Sequence, residues 1–270
     1  MNRKLRSLAL IVCVAALAFA SAGCNKLKAR DALNKGVAAY KGGQFDQAIE
    51  YFKEAKLLDP LLLNARLYLA TAYASQYIPG APSEENVRKG EQAIAEFQEV
   101  LKMDSQNLSA IDGIGSILYN MKKLEESKQY HKQHIELKPD DPEPYYWMGV
   151  IDWLISYKGN GELRTDYKAK NLTKPLKDDA PLPPKLREEF VAKYSAIVEE
   201  GIDHLKNGMG RRADYEDAMA YLNLLYRQKA DMAATPEERD EFLRMADELV
   251  DRVKAIKQKK LETPAPPPPE

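Results

Sequence analysis

NKGVAAYKGGQFDQAIEYFKEAKLLDP, residues 34–60, is the stretch on which the reading of the whole chain turns. It pairs a small residue, Gly36, with a second small residue, Ala48. A large ring follows four positions later at Phe52, and Asp59-Pro60 closes the segment. Two antiparallel helices that cross closely need a small side chain on each. Residues four apart lie one turn along the same helix face, so Phe52 can fill the space beside the crossing. The pattern then starts again. Gly36, Ala70, Gly115, Gly149 and Asn223 are separated by steps of 34, 45, 34 and 74 residues, one 34-residue period carrying insertions of 11 and 40. Ala48/Phe52, Ala93/Phe97, Ser127/His131 and Gly201/Leu205 recur in one phase, and Pro60, Ser105, Pro139 and Ala213 close the units.

A 34-residue helix–turn–helix period with these small and large positions resembles the tetratricopeptide repeat. The resemblance is strongest over residues 34–60 and good over 108–139. It implies an all-α, right-handed superhelical solenoid of helix–turn–helix hairpins with two insertions and a C-terminal capping helix. No single hairpin buries its apolar face alone, so stacking is obligatory. The repeat-packing positions are Gly36, Ala48, Phe52, Ala70, Ala93, Phe97, Gly115 and Gly149. Residues 29–157 are read as units one to three and the first helix of unit four, with an insertion over 76–90. Residues 158–182 are Lys/Asp/Pro-rich and read as a polar loop, either a lid or a flexible insertion. The chain resumes as helix near Pro183-Pro184 and runs to 261, where Thr235-Pro236-Glu237-Glu238 reads as a capping box and Asp141 as an N-cap. Residues 262–270 form a proline-rich tail, expected as extended polyproline II.

Arrays of this family usually bind protein segments in a concave groove lined by the first helix of each unit. Carried over by position, the resemblance assigns that groove to Tyr40, Lys41, Asn64, Asp112, Tyr119, Asn120, Tyr146, Trp153 and Arg227, with Leu33, Val37, Leu67, Thr71, Ser116, Glu143, Val150, Ala220 and Leu224 in the same register. Rings supply contact area and amides pair with a peptide backbone. Packing of Tyr146 and Trp153 against the interrupted fourth unit is the alternative. Some family members clamp a C-terminal carboxylate with Lys and Asn. Leu33 and Val37 stand at the first two clamp positions here, which does not support that activity.

The amino terminus carries the signs of export. Arg3, Lys4 and Arg6 precede an apolar run from Leu8 to Ala20, followed by Ser21-Ala22-Gly23-Cys24. Such a run is too short to span a bilayer, which takes roughly 20 residues, and suits a signal-peptide core. Ala22-Gly23-Cys24 resembles a bacterial lipobox, which makes residues 1–23 a lipoprotein signal peptide, Cys24 the lipid-attachment site and residues 24–28 an anchor linker. Ser21 replaces the usual Leu, and Ala20-Ser21-Ala22 also fits ordinary signal-peptidase cleavage. Cys24 would be the lone thiol of the mature chain, and an unpaired cysteine in an exported protein calls for modification. The expected location is the periplasmic side of a bacterial envelope, with Asn25 pointing toward the outer membrane.

Composition limits the chemistry. Without the signal, 37 basic residues face 41 acidic ones, a net charge near −4 that offers no basic stripe for nucleic acid. His131 and His134 lie three apart, but His131 occupies the large-residue packing position. His204 is distant, and no HExxH motif is present, so no metal is expected. The acidic pairs Asp178-Asp179 and Glu188-Glu189 flank a loop and a helix start, where a helix dipole accounts for the second pair. No catalytic motif is present, and no cofactor is expected. The expected function is non-enzymatic: a scaffold that holds one or more envelope proteins or peptides at a lipid bilayer, similar in layout to the tetratricopeptide lipoproteins of pilus biogenesis and outer-membrane protein assembly. The alternatives are an envelope peptide- or glycan-binding protein serving a separate enzyme, and a cryptic hydrolase in the 158–182 region.

Overall fold

The computed structural model describes residues 24–171, 176–177 and 180–262. The signal segment 1–23, Asp178-Asp179 and the tail 263–270 lie outside the described residues. The described residues form ten helices: α1 (described over 24–41), α2 (Phe45–Leu58), α3 (Leu63–Gln76), α4 (Glu84–Met103), α5 (Leu108–Asn120), α6 (Leu124–Leu137), α7 (Pro142–Lys170), α8 (Pro184–Arg211), α9 (Glu216–Met232) and α10 (Pro236–Glu262). The fold class is all-α, built from helical hairpins, and it divides into two units: α1–α5, within residues 1–123, and α6–α10, within 124–270.

In the first unit the repeat phase is visible as contacts. A Cβ on Gly36 would lie 2.4 Å from the Phe52 ring, so the glycine of α1 is the seat of the large residue of α2. The sequence reading paired Gly36 with Ala48. Ala48 is fully buried, but the tight approach is to Phe52, because the ring reaches back across the crossing. Phe52 also stacks on Tyr68 of α3, with centroids 5.7 Å apart. Phe97 of α4 seats against Gly113 of α5, which a Cβ would bring to 2.5 Å. Both rings thus reach the neighbouring hairpin, as expected of them. Ala70 and Ala93 are completely buried.

The insertion placed over 76–90 is shorter than that. Only 77–83 is outside a helix, and the remainder extends α4 at its N-terminus. Ser83 caps α4 by accepting the Asn86 N–H. The buried Asn86 side chain accepts the Ile78 N–H at 2.7 Å and donates to the carbonyls of Ile78 and Ala81 at 2.8 and 2.9 Å. One amide therefore closes the loop on the helix, satisfying backbone groups that burial would otherwise strand.

The connections that follow α1 and α5 use the same turn. Gly43 and Lys122, each seven residues after the repeat glycine, both have positive φ, 74° and 63°. The following N–H of Gln44 and of Lys123 closes each turn on Ala39 and Leu118.

In the second unit α7 and α8 form one long hairpin. A Cβ on Gly149 would meet Leu205 at 2.4 Å and the Gly201 carbonyl at 3.1 Å, so the repeat phase survives the 40-residue insertion. Two expectations fail here. Residues 158–170 are helix, extending α7 to Lys170, where a polar loop over 158–182 was expected; the connection to α8 is confined to 171–183. Lys158, Glu162, Asp166 and Lys170 are exposed on the solvent side of the extension. Gly159, Leu163 and Tyr167, four apart, form a narrow stripe against α8: a Gly159 Cβ would meet the Tyr194 ring at 2.1 Å, and Leu163 joins Leu182, Leu186 and Phe190. The anchor linker over 24–28 is also helix, within the described part of α1, and Ala29 is already fully buried.

Helix ends follow their chemistry. Asp141 accepts the Glu143 N–H and Pro142 opens α7. Thr235 accepts the Glu238 N–H at 3.2 Å, the first half of the expected capping box of α10, while the Glu238 carboxylate reaches one residue further back and accepts the Ala234 N–H at 3.0 Å. The buried side of α10 meets α9 through Ala246 and Leu249, with Phe242, Met245, Val253 and Ile256 packed around them.

Candidate binding faces

Within the first unit, the first helices of the second and third repeats, α3 and α5, border a cleft of about 390 Å³. Thr71, Ser75, Ser116 and Asn120 give it a polar wall, and Phe97 and Ile117 give it an apolar one. Thr71 and Ser116 came from the groove register, and Asn120 from the expected site. Thr71 Oγ1 donates to the Leu67 carbonyl at 2.8 Å, and Ser75 Oγ donates to the Thr71 carbonyl at 3.0 Å. Their hydroxyl hydrogens are thereby engaged, which leaves each oxygen able only to accept. Tyr40 of α1 hydrogen-bonds Ser75 Oγ at 2.7 Å, with the tyrosine as donor because the serine proton is committed, and it packs edge-on against Phe45. Tyr40 thus braces the cleft without lining it. Lys41 and Asn64 are exposed and lie outside it. Asp112 and Tyr119 are half-buried, with Lys122 over the Tyr119 ring. Leu33 is drawn into an apolar cluster with Ala32, Ala55 and Ala65. Ser75, Tyr77 and Phe97 were not in the expected site. Their place in the cleft depends on the loop at 77–83 and on the α4–α5 packing.

Within the second unit, α7 and α9 present rings. Tyr157 stacks on Trp153 at 5.1 Å, Trp153 meets Tyr221 edge-on at 5.1 Å, Tyr221 meets Tyr146 at 5.8 Å, and Tyr146 meets Tyr215 at 5.3 Å. The two expected residues, Tyr146 and Trp153, are half-buried and pack on the α8–α9–α10 core, which is the packing alternative, while part of each stays open. Val150, between them, is core at 1% exposure and is removed from the binding face. Arg227 is directed elsewhere. It bonds Asn223 at 3.0 Å and pairs with Asp247 of α10 at 2.6 Å. Tyr157 and Tyr221 extend the row beyond what the sequence assigned.

Beneath this face lies a charged cluster. The Asp152 carboxylate is fully buried, accepts from Lys128 Nζ of α6 at 2.6 Å and meets His204 Nδ1 of α8 at 3.0 Å. Burial is the largest single influence and pulls the Lys128 ammonium down, but the hydrogen bonds and charges of Asp152 and Glu200 together outweigh it and hold the lysine above its ordinary value. A buried carboxylate needs such partners, and here they tie three helices together. His131 is buried at 2% exposure, stacked on Trp147 with centroids 6.1 Å apart, and neither ring nitrogen has a hydrogen-bond partner. Burial, helped by His134, lowers it to about 4. Glu188 and Glu189 are exposed, and Glu189 pairs with Lys193 at 2.8 Å. Among the described residues no three His, Cys, Asp or Glu side chains are grouped to hold a metal, and no helix is long and apolar enough to cross a membrane. Cys24 is exposed and lies in α1.

With this geometry in place, the likeness to known proteins is informative. The tetratricopeptide-repeat model matches residues 32–60 and 109–141, the first and third hairpins, where the residue pattern is also clearest. No curated protein matches the chain significantly in sequence. Among solved structures, a crystal structure of MamA is 15% identical with a TM-score of 0.57, over 90% of this chain and 98% of that one. MamA from Desulfovibrio magneticus RS-1, from residue 41 to its end, is 16% identical with a TM-score of 0.57, over 86% and 96%. YrrB, described as a TPR protein with an unusual peptide-binding site, is 13% identical with a TM-score of 0.51, over 84% and 90%. At these identities the likeness shows the fold.

Proposed function

We propose that this chain is a non-enzymatic protein-binding scaffold, held at a bacterial envelope membrane by lipid on Cys24, that takes an extended segment of a partner protein in the α3–α5 cleft. The observation that carries the reading is the composition of that cleft: an acceptor at Thr71, a donor and acceptor at Asn120, and the Phe97 edge beside them. An extended peptide offers unpaired N–H and C=O groups and alternating side chains, which such a wall can receive. The peptide-binding site for which YrrB is described fits the same reading of a shared fold. Envelope location draws on the signal-like start and the position of Cys24.

The test is in-cell crosslinking of the tagged protein, purification from membranes and mass spectrometry, repeated with Ser116→Trp. Ser116 is exposed, so the substitution fills the cleft without disturbing the core. One stoichiometric partner whose yield falls about tenfold in the variant, at unchanged helicity, is the expected result, corresponding to loss of about 1.4 kcal/mol of binding. A partner retained at full yield would remove the cleft as the site. Scattered substoichiometric capture would transfer weight to a peptide or glycan ligand.

A further inference from the structure

The first unit leaves one end of its first hairpin apolar. Among its described residues the three large apolar side chains most open to solvent are Leu57, Leu61 and Leu27, at 82%, 80% and 72%. Exposed leucines scattered singly are ordinary, whereas leucines gathered at one end of a hairpin mark a contact surface. The pairing of the helices gathers them. Gly36 of α1 seats Phe52 of α2, and Ala32 shares a cluster with Ala55, Ala65 and Leu62, so α1 and α2 run antiparallel with Ala32 near the level of Ala55. From that level Leu27 lies about 7.5 Å outward along α1, and Leu57 about 3 Å outward along α2. Leu61 stands in the α2–α3 connection that closes the same end, next to the clustered Leu62.

What surrounds these leucines suits the surface of a bilayer. Lys26, Lys28 and Arg30 are exposed on either side of Leu27, and their long stems let a charged head stay at the headgroups while apolar neighbours go deeper. Two carboxylates are already engaged: Asp59, between Leu57 and Leu61, accepts the Leu61 N–H at 3.2 Å, and Asp31 pairs with Lys35 at 2.7 Å. Asp59 restricts the leucines to the boundary between headgroups and acyl chains, the depth at which surface-lying apolar faces sit. Cys24, the proposed acylation site, precedes Leu27 by three residues and so shares its face of α1. The anchor and the apolar end are therefore continuous.

We propose that Leu27, Leu57 and Leu61 make a second, non-covalent contact with the lipid surface, which stands the first hairpin on end against the bilayer; this rests on the anchoring at Cys24 proposed above. A single myristoyl chain binds a membrane only marginally, and three leucine side chains bury no more than that, so the contact orients the chain and does not hold it. Orientation matters for the α3–α5 cleft. Its residues Thr71 and Ser75 stand about 12 and 18 Å along α3 from Leu63, so an upright hairpin keeps that wall clear of the headgroups and open to a partner.

The anchor can be supplied chemically, which makes the test independent of acylation in the cell. The chain from Cys24 to Glu270 is coupled through the Cys24 thiol to a maleimide lipid in vesicles of phosphatidylcholine and phosphatidylglycerol. Hydrogen exchange over residues 57–63 should become at least about fivefold slower than in the uncoupled chain. The connection at 77–83, at the opposite end of the helices and with Ile78 64% exposed, should keep its rate. Leu57→Ser combined with Leu61→Ser should restore the uncoupled rate at unchanged melting, since both side chains are exposed. Unchanged exchange over 57–63 on coupling, equal slowing at 77–83, or slowing that survives the serine pair each overturns the proposal. So does slowing that vanishes when the protein is diluted on the vesicle surface, which would assign the leucines to a second copy. The intact mass of the cellular protein decides acylation separately: an unmodified chain removes the anchoring reading, while the leucine contact stands or falls on the coupled chain.

Discussion

His131 shows how a repeat position can be filled against its chemistry. The place taken by Phe52 and Phe97 in other hairpins holds an imidazole that is buried, stacked on Trp147 and without a hydrogen bond. Burial favours its neutral form and lowers it from 6.5 to about 4. In the unfolded chain it protonates near its ordinary value, so between pH 6.5 and 4 the unfolded state holds the extra proton. Stability from this group is complete above pH 6.5 and falls as pH drops toward 4, by about 3 kcal/mol in all. His131→Phe restores the apolar ring of the other hairpins and should remove that loss. Urea unfolding at pH 7 and pH 4, followed by tryptophan fluorescence, should show a pH difference about 3 kcal/mol smaller in the variant. An unchanged difference would mean that the imidazole is not held neutral. The sequence placed His131 at a packing position and so foresaw its burial. It did not reveal Asp152, whose partners Lys128 and His204 sit 24 and 52 residues away on two other helices.

At the scale of elements, the repeat register was legible because it is a local rule: small at one position, large four after the next. Gly149 and Leu205 obey it across the long insertion. The insertion itself was misread, because its helical stripe is only Gly159, Leu163 and Tyr167 amid many charges, and the residues that complete its core, Phe190 and Tyr194, lie on α8. What fixes the far end of α7 is Arg164. Its Nε donates to Asn160 at 3.0 Å, its Nη2 to Asp231 of α9 at 2.9 Å and its Nη1 to the Ala180 carbonyl at 3.1 Å. Asn160 completes the cluster by donating to Gln228 and Asp231 at 3.1 and 2.8 Å. The arginine and the aspartate have only 13% and 18% of their side-chain surface open. Arg164→Met keeps the packed stem but leaves Asp231 without its cation and a connecting-loop carbonyl without its donor. The expected cost is about 2–4 kcal/mol, toward the lower end because water reaches both groups. Hydrogen exchange should report it as faster opening of the far end of α7 and of 180–183, with α1–α5 unchanged. A uniform effect, or none, would show that Arg164 does not organise the extension.

For the molecule as a whole, the proposed lipid attachment makes its own prediction, and α1 shapes it. Cys24 is not on an extended spacer: it lies in the helix whose Ala29 and Ala32 are already core, so lipid on its sulfur would bring the first hairpin close to the headgroups. Lys26, Lys28 and Arg30 are exposed within the next two turns. Acyl chains contribute about 0.8 kcal/mol per buried methylene, and two chains suffice for stable anchoring. Each basic residue near an anionic surface adds about 1 kcal/mol, screened by salt. These two contributions separate experimentally. Wild-type protein should stay with membranes through a wash at about 1 M salt, where screening acts within about 3 Å. Cys24→Ala should be released by the same wash, and intact-mass measurement should find the wild-type chain heavier than its sequence from Cys24 by the acyl groups. A wild-type mass matching unmodified Gly23 or Cys24 at the N-terminus would establish ordinary cleavage. Salt-resistant attachment of Cys24→Ala would mean that a bound membrane protein, not lipid, holds the chain in place.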